Sequence, residues 1–74
     1  MKNRKIPFNV PILDTKPVEV TNQYTGEKVT LKPDALAVYD VIKGSEMLSQ
    51  YEDVRKGCAW FMKHEPKAYM VLLD

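Results

Sequence analysis

The stretch SQYEDVRKGCAWFMKH, Ser49 to His64, holds the only cysteine, the only tryptophan and the only histidine of the 74-residue chain. Ser49 followed three residues later by Glu52 has the spacing of a capping box, in which hydroxyl and carboxylate satisfy the first free amides of a helix. A helix is therefore expected from about residue 50. Tyr51, Val54, Cys58, Phe61 and Met62 then recur on one helical stripe, which carries the helix to His64 and assigns these five side chains to the core. With Tyr51 set at zero, that stripe covers roughly 280° to 20° around the axis, and Trp60 stands near 180°. Lys56 and His64 flank Trp60 at i−4 and i+4.

An indole off the core stripe has two explanations. Either the N-terminal arm or the C-terminal run covers it, with Gly57 permitting close backbone approach one turn away. Or Lys56, Trp60, Lys63 and His64 form an exposed aromatic and basic face, suited to a protein partner or to a base stacked on the indole. Burial within the domain is the favoured expectation, because an exposed tryptophan is uncommon in a soluble monomer.

Downstream, Pro66 disfavours helical geometry at Glu65 and suits the first turn of a new helix. PKAYMVLLD is expected as a short C-terminal helix, with a sheet-closing strand as the alternative, since Tyr69–Leu73 is too short for periodicity to decide. Upstream, LKPDALAVYDVIKGSEMLS places Pro33 at a first helical position and Asp34 in the first turn, where its charge complements the dipole. Ala35, Val38, Tyr39 and Ile42 follow core-facing spacing. Gly44 is expected inside this helix, which continues to about Leu48, because a mid-helix glycine costs only ~1 kcal/mol relative to alanine.

Before that, Val18, Val20, Val29 and Leu31 alternate on either side of NQYTGE, the pattern of a β-hairpin. A two-stranded ribbon is marginal by itself. Helices or the arm must cover its apolar face. The first 16 residues contain Pro7 and Pro11, with Pro17 just beyond, so they should be neither helix nor central strand. Ile6, Phe8, Val10, Ile12 and Leu13 make them too apolar for a purely disordered tail. An extended arm lying across the domain or across a neighbouring subunit is expected. The fold class is thus α+β in one domain: arm 1–16, then hairpin, two main helices and a short terminal helix over 17–74.

Net charge is +1, but the arm carries Lys2, Arg4, Lys5 and Lys16 against Asp14 alone. That basic segment is the basis for a nucleic-acid alternative, in which flexible cations neutralise phosphates. A solvated terminus explains three charges more simply. One cysteine forms no internal disulfide and no segment reads as a cleavable signal, so an intracellular, cytoplasmic location is expected. The C-terminal apolar run, Tyr69–Leu73, is far short of the ~20 residues of a membrane span.

Catalysis finds little support. Cys58 and His64, six residues apart on one helix, stand roughly 120° and about 9 Å apart, beyond a hydrogen bond within that helix. A structural zinc site needs four Cys or His ligands, and the chain has two. TGEK at Thr25–Lys28 matches a zinc-finger linker without the ligand pairs that would flank it. Three isolated glycines write no phosphate loop. No enzyme activity, metal or cofactor is expected. An enzyme would need a pocket assembled across subunits.

The runs YTGEKVTLKPDALAVYDVIKG and RKGCAWFMKHEPKAYMVLLD resemble small proteins encoded by marine tailed phages, particularly cyanophages, over most of residues 24–74. The resemblance implies an accessory protein acting inside an infected bacterial cell and brings no catalytic residues with it. Taken together, the expectation is a non-enzymatic, self-associating interaction module. Its candidate surface is Lys56, Trp60, Lys63 and His64 with Phe8, Lys2, Arg4 and Lys5 of the arm.

Overall fold

The computed structural model describes residues 3–73; Lys2 of the candidate surface lies outside them. Strands β1 (Val18–Thr21) and β2 (Lys28–Leu31) pair antiparallel, with Val18 opposite Leu31 and Val20 opposite Val29. Alternation places these four on one face, and Glu19, Thr21, Lys28 and Thr30 in solvent. Asn22 shapes the connection. Its side-chain oxygen accepts from the amides of Tyr24 and Thr25 at 2.8 and 3.3 Å, and Gly26 supplies a φ of +79°.

Three helices follow: α1 (Pro33–Met47), α2 (Tyr51–His64) and α3 (Pro66–Leu72). Pro33 and Pro66 each open a helix, as expected of a residue with fixed φ and no amide to leave unpaired. Gly44 lies inside α1, and the last segment is a helix rather than a strand. The helices and β2 enclose Leu31, Ala35, Val38, Ile42, Trp60, Phe61, Ala68 and Leu72, with Phe61 fully buried. Asn22 Nδ2 donates to the carbonyl of Val71 at 2.7 Å, tying the hairpin loop to an otherwise unpaired carbonyl at the end of α3.

Two local expectations are corrected. Ser49 does not cap α2: the residue before that helix is Gln50, and no side chain bonds its first amides. Instead Ser49 closes α1. It adopts a φ of +57°, its amide donates to the carbonyl of Glu46 at 3.2 Å, and the Gln50 amide donates to that of Ser45 at 2.8 Å. This is the Schellman pairing with serine at the left-handed position usually held by glycine. The two helices are so close in sequence that Ser49 serves the end of one instead of the start of the next.

The second correction is the orientation of α2. Its buried residues are Gly57, Trp60 and Phe61, with Val54 and His64 half-buried, while Tyr51 and Met62 are exposed. The buried face is centred near 240° on the scale used above, roughly 90° from the expected stripe. Gly57 explains the rotation. A Cβ built there would overlap Ile42 Cγ1, stand 2.6 Å from its Cδ1 and meet Phe8 Cε2 at 3.5 Å. Ile42 of α1 thus packs onto α2 at a residue with no side chain, which carries no weight in a hydrophobic pattern.

Candidate functional site

Trp60 is covered by its own chain. The indole is 7% exposed, and its Nε1–H donates to the carbonyl of Lys5 at 2.8 Å. The arm therefore runs over α2 on the side opposite to the expected stripe. Ile6 and Phe8 pack against the core from the same direction. Phe61 stands edge-on to Trp60 at 5.5 Å, and the His64 ring lies at 4.8 Å.

Arg4 fastens the arm. Its Nε and Nη2 donate to the two carboxylate oxygens of Asp34, both at 2.8 Å, and its backbone amide donates to Asp34 Oδ2 at 2.8 Å. Nη2 also meets Glu65 Oε2 at 2.7 Å, and Nη1 donates to the His64 carbonyl at 3.2 Å. The guanidinium carbon lies 4.9 Å from the Trp60 ring. Only arginine has the planar fork for two carboxylate bonds and a stacking face at once.

Asp34 is 3% exposed, and its other duty is to accept the Ala35 amide at 2.7 Å. The Arg4 hydrogen bonds pull its carboxyl down to about 2 against the desolvation that opposes them. The same partners, Asp34 first, raise the Arg4 pKa. A buried carboxylate without such a partner would be costly. Asp34 was legible as a helix-dipole carboxylate, but its role as the anchor of the arm was not.

The candidate surface therefore divides. Trp60, Phe8 and Arg4 are committed within the chain, and His64 is half-buried against Trp60. Lys5, Lys56 and Lys63 remain exposed. A nucleic-acid reading loses its arm arginine to Asp34 and Glu65. Cys58 is half-buried, and desolvation, with Glu46 nearby, raises its thiol pKa, which opposes a thiolate nucleophile. Among the described residues no three His, Cys, Asp or Glu side chains are grouped to hold a metal ion, and no helix is long and apolar enough to cross a membrane. A cleft of about 400 Å³ between the arm and the start of α1 is lined in part by Arg4, Ile12, Asp14, Lys32 and Asp34. Its buried carboxylate is already paired.

The exposed apolar side chains lie elsewhere. Met47 and Leu48 at the α1–α2 turn are 86% and 69% exposed, and Tyr51 and Met62 on the outer side of α2 are 66% and 52% exposed; Val10 and Leu13 of the arm, Tyr24 of the hairpin loop and Met70 of α3 are exposed as well. Sequence periodicity placed Tyr51 and Met62 inside. Their exposure follows from the rotation of α2 about Gly57. No protein-family description, curated protein or solved structure matches the chain.

Proposed function

We propose that this chain is a non-enzymatic protein-interaction module that associates with copies of itself. The phage setting, an accessory protein in the cytoplasm of an infected cell, rests on the resemblance of residues 24–74 alone. One observation carries the proposal of self-association: Met47, Leu48, Tyr51 and Met62 are left in solvent along the α1–α2 turn and the outer side of α2. A chain this short has few apolar residues to spare, and a group of large ones outside its core marks a contact surface. The arm and Trp60, once candidates for that contact, are used up in closing the core.

Sedimentation equilibrium from about 10 µM to about 1 mM, a range that brackets a micromolar dissociation constant, tests the proposal. Wild-type protein is expected to show concentration-dependent dimerisation, and Tyr51→Glu to remain monomeric with a melting temperature unchanged at concentrations too low for the wild type to dimerise. A monomer throughout the range removes the proposal.

A further inference from the structure

We propose that the outer face of α2 pairs antiparallel with the same face of a second copy about a twofold axis. The inference rests on the reading of the chain as self-associating and adds its geometry. On the angular scale used above, Tyr51, Met62 and Arg55 fall within roughly 0° to 40°, turned away from the buried face near 240°, while half-buried Cys58 at about 340° borders the core. Tyr51 and Met62 sit at nearly one angle, eleven residues apart. A twofold axis crossing α2 near residues 56–57 sets Tyr51 of each copy opposite Met62 of the other.

Charge selects this direction. Glu52 in the first turn and Lys63 in the last lie on one flank of the stripe, at about 100° and 120°. In the antiparallel arrangement the same flanks adjoin, and each Glu52 faces a Lys63 of the second copy. In a parallel pair opposite flanks adjoin, so Glu52 and Lys63 of the two copies would lie on opposite sides of the seam and neither would gain a partner. Both residues are exposed, and neither has an ion-pair partner among the described residues. With 14 residues, α2 is about 21 Å long, so a single helix pair lies at the small end of specific interfaces and its affinity belongs in the micromolar range.

The test is charge reversal, read by sedimentation equilibrium over the same concentrations. Glu52→Lys and Lys63→Glu are each expected to weaken the dimer on the order of tenfold, since each reversal places two like-charged pairs in the interface. The double variant is expected to return to about the wild-type dissociation constant. Glu52→Gln and Lys63→Gln should weaken in the same direction by less, and they guard against a reversal that disturbs the helix ends. Circular dichroism and Trp60 emission verify folding of each variant. If wild type dimerises but the double variant is as weak as the singles, the antiparallel geometry is overturned and self-association stands. If wild type stays monomeric at the highest concentration, both fall.

Discussion

Asp34 shows how much one side chain can do when it is buried with its partners. Its carboxyl is held at about 2 against an ordinary 3.8, chiefly by the Arg4 side-chain hydrogen bonds. A carboxyl with a lowered folded-state pKa binds protons more readily in the unfolded chain. Its contribution is therefore complete above pH 3.8 and is lost as pH falls toward 2, an amount of about 2 kcal/mol. Urea unfolding at about pH 5 and about pH 2 should show wild type losing about 2 kcal/mol more than Asp34→Asn, which has no proton to take up in this range. Equal losses would mean that the Arg4 pair contributes nothing across this range.

At the scale of elements, the two mid-helix glycines separate propensity from packing. A Cβ at Gly44 in α1 would meet nothing within 4 Å, whereas one at Gly57 in α2 would run into the fully buried Ile42. Gly44→Ala should stabilise by about 0.5–1 kcal/mol, the gain of a better helix former. Gly57→Ala receives the same gain but must displace Ile42, and overpacking of about 1–3 kcal/mol exceeds it. Thermal melts of the two variants should move in opposite directions. The existence and order of the elements, and the type of all but the last, were readable: proline at the helix starts, alternation in the hairpin and helical spacing after Pro33 are local signals. The face of α2 was not. Apolar residues were assigned inward, but Tyr51 and Met62 point out, while the glycine at the centre of the helix contact has no hydropathy to reveal it.

For the whole molecule, the docked arm decides the shape. A Cα radius of gyration of 11.5 Å matches the ~11 Å expected for a compact chain of this length, so the arm adds core without adding extent. Arg4→Ala leaves Asp34 buried without its partner and should release the arm, raising the radius of gyration in small-angle scattering on the order of 1–2 Å and shifting Trp60 emission to the red. An unchanged radius would mean that Ile6 and Phe8 hold the arm without the ion pair. By itself the sequence determined an α+β chain with an extended arm, a hairpin and two main helices, because those outcomes follow from backbone restraints and short-range periodicity; that the last segment is a helix and not a strand was decided by the tertiary structure. Only the tertiary structure decided what covers Trp60, which carboxylate receives Arg4 and which side of α2 meets water. Those depend on residues far apart in the chain meeting in space, as Arg4 meets Asp34 and Lys5 meets Trp60, and no local pattern records such meetings.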